Sequence, residues 1–120
     1  MIITLCGSAR FEHLFRHWDE VLTLRGHVVF NLAVYPRDKE YRKDWYSPET
    51  KRLLDQSHMQ KILHSDAILV LNEDGYIGES TKNEITWAQR LGKPIYYLHH
   101  VDSSRLPENI PSALQTDAPF

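Results

Sequence analysis

Asp66-Ala67-Ile68-Leu69-Val70-Leu71-Asn72, followed by Glu73-Asp74-Gly75-Tyr76-Ile77-Gly78-Glu79-Ser80-Thr81-Lys82-Asn83-Glu84 and, after one helical stretch, Gly92-Lys93-Pro94-Ile95-Tyr96-Tyr97, decides the fold. The apolar run 67 to 71 is short enough for a strand buried on both faces. Ser80 and Thr81 are good N-cap types, and Thr81-Lys82-Asn83-Glu84 matches a capping box. Ile85, Ala88 and Leu91 recur at helical spacing, and Gly92 then Pro94 stop the helix. The order is strand, glycine-bearing loop, helix, strand. Such a loop sits at the carboxyl end of a strand and opens onto a helix N-terminus, where open α/β sheets bind ligands.

Upstream, Ile2 to Leu5 predicts a first strand ending in Cys6-Gly7-Ser8-Ala9-Arg10. Phe11, Leu14, Phe15, Trp18, Val21 and Leu22 then share one helical face, closed by Arg25-Gly26. His27 to Val34 reads as a second strand, which makes a βαβ unit with the usual right-handed crossover. Pro48 opens a second helix with an apolar stripe of Leu53, Leu54, Ile62 and Leu63. Between them, Tyr35 to Pro48 mixes Tyr35, Tyr41, Trp45 and Tyr46 with charges of both signs. It is expected to be a loop at the carboxyl edge of the sheet, either a lid or binding loop or a packed surface excursion. The tail 99–120 holds Pro107, Pro111 and Pro119 and no clear element; it either wraps the domain or reaches a neighbouring subunit.

The expected architecture is therefore α/β, a doubly wound parallel sheet in the order 2-1-3-4, three layers deep, in one domain spanning 1–120 with its core in 1–98. Length and an apolar fraction of 42% agree with a single globular domain. A net charge of -2 gives no electrostatic reason to expect nucleic acid or a membrane surface as partner. No signal-type segment or span-length apolar run is seen, so the expected location is cytoplasmic. Cys6 is the single cysteine, which excludes an intrachain disulfide and a cysteine zinc cluster.

The switch point of that sheet brings Gly7-Ser8-Ala9-Arg10 beside 72–81. Gly7 and Ser8 let backbone N–H groups approach an anion, and Arg10 supplies a bidentate donor. Asn72, Gly75, Gly78, Ser80 and Thr81 repeat the design on the second loop. Neither loop is a P-loop or dinucleotide fingerprint, so a small anionic or sugar ligand fits better than a dinucleotide. Each loop taken alone reads better as turn and cap chemistry; their convergence points to a site.

Glu84 has two readings. At the third position of a capping box it bonds back to its own helix N-terminus; aimed into the crevice it can attack an anomeric carbon. His58 is either a solvated helix residue or, facing the pocket, a group able to protonate a leaving base. Asp66 is expected to cap or to pair with the second helix. The seven histidines show no metal-ligand spacing, and His99 and His100 point to opposite faces, so no catalytic metal and no cofactor is expected.

Leu5-Cys6-Gly7-Ser8-Ala9-Arg10-Phe11, and Gly75 to Ile85 followed by Ala88 and Gly92-Lys93-Pro94-Ile95, resemble the nucleoside 2-deoxyribosyltransferase-like superfamily, which includes deoxynucleoside-monophosphate N-glycosidases. The resemblance covers residues 1 to about 98 and implies a flavodoxin-like sheet. It implies a glutamate nucleophile at Glu84. Gly7, Ser8 and Arg10 match the first substrate loop, and Gly78, Ser80 and Thr81 the second. The implied reaction is attack on C1′ of a 2′-deoxynucleoside or its 5′-monophosphate, then transfer to a second base or to water. The implied partner is a small nucleoside or nucleotide, in a homodimer or larger homo-oligomer. The chain departs from the family at two places. His58 stands where these enzymes have an Asp that handles the departing base, and Leu5 where transferases have a Tyr. Those departures keep a second class open, a nucleotide-binding sensor module without turnover; a purely structural oligomerisation domain is the third.

Overall fold

Side chains alternate across each strand and split the core into two sheets of packing. The computed structural model describes residues 1–35 and 47–99. The expected loop between Tyr35 and Ser47 and the tail beyond His99 lie outside the described residues. Strands β1 (Ile2–Cys6), β2 (Val28–Phe30), β3 (Ala67–Val70) and β4 (Ile95–Tyr97) form one parallel sheet in the order β2-β1-β3-β4. Helix α1 (Glu12–Leu24) connects β1 to β2, α2 (Pro48–Leu63) precedes β3, and α3 (Glu79–Arg90) connects β3 to β4.

On one face Ile3, Leu5, Leu69 and Leu71 meet Phe15 and Leu22 of α1. On the other, Cys6, Ile68, Val70, Ile95 and Tyr97 meet Ile62 of α2 and Ile85 and Ala88 of α3. Helices on both faces explain why β3 is buried at every position and apolar throughout. This is the doubly wound, flavodoxin-like arrangement that the sequence predicts. Cys6↔Val70 is the last paired position of β1 and β3, so the chain emerges from both strands at the switch point.

Three expectations are corrected. β2 ends at Phe30 rather than Val34. Asn31 takes the ladder apart: its Oδ1 accepts from the Leu32 N–H at 2.7 Å, and its carbonyl accepts from Lys61 Nζ at 2.6 Å. Asp66 pairs with β1 and not with α2, its Oδ2 accepting from the Ile2 N–H at 2.7 Å. The capping box is not made. Gly78 is the N-cap, in extended backbone, and the Lys82 N–H closes the first turn on the Gly78 carbonyl at 2.9 Å. The helix thus begins at Glu79, ahead of the proposed cap, and Glu84 falls in its second turn, beyond reach of the orphan N–H groups.

Candidate active site

The second turn of α3 points Glu84 inward, and the last half of α2 points His58 at it. His58 Nε2 lies 3.0 Å from Glu84 Oε1, with both side chains nearly out of solvent. Cys6, at the end of β1, completes the cluster with its Sγ 3.6 Å from the same ring nitrogen. Burial, then the Glu84 charge and a hydrogen bond to Glu84, push the Cys6 thiol well above its usual range, so it is a neutral donor. His58 Nδ1 has no hydrogen-bond partner among the described residues.

His58 and Glu84 face a cavity of about 470 Å³, the size of a small-molecule site; Cys6, fully buried, does not line it. Gly7, Ser8, His58, Gly78, Ser80, Thr81 and Glu84 all line it. Lys51, Asp55, Lys61 and Tyr76 add to the wall. Lys51 is paired with Asp55 at 2.8 Å, and burial lowers the pKa of Lys61. The loops converge because Gly7 adopts φ +156°, with its Cα against the chain leaving β3: a Cβ there would stand 3.1 Å from the Leu71 carbonyl oxygen. Ser8 caps the short turn Ala9–Phe11. Gly78 likewise leaves room for the Tyr76 hydroxyl, which would be 3.1 Å from an added Cβ.

Three residues expected at the ligand are placed elsewhere. The Arg10 guanidinium sits 3.9 Å above the Tyr76 ring, outside the cavity wall, in a cation–π contact. Asn72 is fully buried, and its amide clasps the backbone of His99: Nδ2 donates to the carbonyl at 3.0 Å and Oδ1 accepts from the N–H at 2.9 Å. Gly75 belongs to the short turn Glu73–Gly75 and is open to solvent. Conversely, Cys6 was missed. Strand alternation was the available signal, since Leu5 turns to the α1 face and Cys6 to the α2–α3 face. A larger groove of about 1180 Å³ runs along the outside of α2 and α3, but none of its residues is buried.

No family model and no curated protein matches the chain. Among solved structures, a 2-deoxyribosyltransferase of the psychrotolerant bacterium Bacillus psychrosaccharolyticus superposes with a TM-score of 0.64 over 98% of this chain and 87% of its own, at 19% identity. This chain has the fold of a 2-deoxyribosyltransferase. A Clostridium botulinum CMP N-glycosidase matches with a TM-score of 0.50 over 81% of this chain and 67% of its own, at 21% identity. At these identities the likeness is one of fold, and it is the fold that the sequence resemblance implied. No helix among the described residues is long and apolar enough to cross a membrane.

Proposed function

We propose that this protein cleaves the N-glycosidic bond of a 2′-deoxynucleoside or its 5′-monophosphate, with Glu84 as nucleophile. One observation supports the reading above the rest: Glu84 is turned away from its own helix terminus and held against His58 on the wall of a cavity at the switch point. A Glu used as a cap would be exposed and bonded to backbone; this one is buried beside a proton donor. The likeness of fold to a deoxyribosyltransferase and a nucleotide N-glycosidase points the same way.

In the first step a Glu84 oxygen attacks C1′. The C1′–N bond breaks and its electron pair leaves with the base. His58 gives that nitrogen its Nε2 proton. The transfer is timed by the His58–Glu84 contact, because a carboxylate that becomes an ester loses its hold on the Nε2–H. In the second step water or another base attacks C1′ and the carboxylate is released; with water, His58 takes back a proton at Nε2. Ser8 and the start of α3 line the same cavity, and we assign to them the binding of sugar hydroxyls or a 5′-phosphate.

The test is chromatography of a panel of nucleosides and nucleotides after incubation with wild type and Glu84→Gln. Free base is expected from one or more 2′-deoxy substrates with the wild type and none with the variant. Equal inertness of both across the panel, with a nucleotide still bound by calorimetry, would establish a binding module instead.

A further inference from the structure

We propose that Cys6, His58 and Glu84 form a binding site for a zinc-class divalent cation, with the fourth coordination position open to the cavity. The three donors come from β1, α2 and α3, and their ligand atoms all lie within 4.8 Å of one another. Sulfur, imidazole nitrogen and carboxylate oxygen are together the donor set of a borderline-soft ion. Metal–ligand lengths of about 2.0 to 2.3 Å at tetrahedral angles separate ligand atoms by roughly 3.3 to 3.6 Å. The Sγ–Nε2 distance of 3.6 Å already has that value. The Nε2–Oε1 distance of 3.0 Å needs only a few tenths of an ångström more, within reach of a side-chain torsion.

The geometry also separates a chelate from a proton relay. In a Cys–His–Glu relay the thiol and the carboxylate engage opposite nitrogens of the ring. Here both face Nε2, and Nδ1 has no partner among the described residues. A thiol and a carboxylate that share one ring nitrogen fit around an ion at that nitrogen; they do not pass a proton along a line. The ligands are far apart in sequence, Cys6 and His58 by 52 positions, so no short motif announces the site. Binding expels the Cys6 thiol proton to solvent. If the glycosidic reading holds, a bound ion occupies the nucleophile, and metal and substrate exclude one another.

The experiment titrates the metal-free protein with Co²⁺ and then Zn²⁺ alone, with no substrate. One ion per chain is expected, with a thiolate-to-cobalt charge-transfer band in the near ultraviolet that Zn²⁺ abolishes. Cys6→Ser is expected to remove the band and weaken binding at least tenfold, and His58→Gln to weaken it comparably. His13→Gln, which alters the exposed His13–Glu73 pair, is expected to change nothing. Because Cys6 is the one cysteine in the chain, slower labelling of the wild-type thiol by a maleimide in the presence of Zn²⁺ reads the same contact without a substitution. Absence of stoichiometric binding, or binding indifferent to both Cys6→Ser and His58→Gln, overturns the site. Base release without metal binding would sink this inference and leave the glycosidic reading; metal binding without base release would do the reverse.

Discussion

His58 Nε2 lies 3.0 Å from Glu84 Oε1, and this contact joins α2 to α3 in the wall of the cavity. The pair is almost fully buried, so water screens the contact little. Such a pair contributes little net stability when intact, yet removing one partner leaves a buried charge and costs about 3 kcal/mol or more. The residue is therefore poorly explained as a stabilising device and better explained by chemistry.

His58→Gln keeps a donor of similar reach but cannot deliver a proton. Under the proposed mechanism it lowers kcat by about a hundredfold or more. The loss should depend on the leaving group: large for bases that depart poorly as anions, small for those already activated. Steady-state kinetics on a series of substrates with graded base acidity reads this slope. A uniform loss across the series would reduce His58 to a structural partner of Glu84.

Gly7 tests how the site is positioned. Its φ of +156° and the 3.1 Å approach that a Cβ would make to the Leu71 carbonyl leave no room for a side chain. The clash falls beside the Leu71 N–H bond to the Cys6 carbonyl, at 2.8 Å. Gly7→Ala is expected to cost about 1 to 3 kcal/mol in chemical denaturation. Because the backbone between Cys6 and Ser8 must shift, activity should fall further than stability alone accounts for. A variant with wild-type stability and turnover would show that the close approach is dispensable.

What the sequence revealed, and what it hid, follows from the range of the forces involved. The run 67–71 and the face Phe15–Leu22 are short-range patterns, so sheet order and the inner faces of α1 and α3 were legible; the stripe expected on α2 was not, since Leu53 and Leu63 are exposed and Ile62 and His58 are the residues it buries. The end of β2 depended on Lys61 reaching across from α2 to Asn31, which no local rule contains. The start of α3 turned on a competition between cap residues. Thr81 matches the pattern, but Gly78 takes the extended conformation three residues earlier, and Glu84 is thereby moved from a capping position into the cavity wall. Residue type alone makes Arg10 a bidentate donor to an anion; its guanidinium rests on the Tyr76 ring instead. The meeting of Cys6, His58 and Glu84 is wholly tertiary.

Tyr97 connects burial to pH. Its ring is completely buried on the α2–α3 face, and its hydroxyl has no hydrogen-bond partner among the described residues. Burial raises its pKa from 10.0 to about 12. The unfolded chain therefore loses this proton first, and stability falls as pH rises from about 10 towards 12, by roughly 2 kcal/mol over the interval. Cys6, whose thiol is also pushed up, adds to the alkaline loss from a lower starting pH. Tyr97→Phe should remove the tyrosine share of this decline. At neutral pH it should also stabilise the fold by about 1 kcal/mol, since an unpaired buried hydroxyl is replaced by hydrogen. Urea denaturation at pH 7 and at a series of alkaline values checks both; equal slopes in wild type and variant would show that the hydroxyl is solvated.

Asn72 separates a structural amide from a ligand contact. Two hydrogen bonds tie it to the His99 backbone, fastening the chain after β4 to the end of β3. Asn72→Ala removes both and leaves the His99 groups, on an exposed residue, to find water. The expected cost is about 1 to 3 kcal/mol. Since the amide does not line the cavity, KM for whichever substrate proves active should stay within about twofold of wild type below the melting transition. The contrast with Ser80→Ala, whose residue does line the cavity, makes the reading specific: there KM should rise while stability is nearly unchanged. A large KM effect from Asn72→Ala with an unaltered melting temperature would return that residue to the list of substrate contacts and require the clasp on His99 to open when ligand binds.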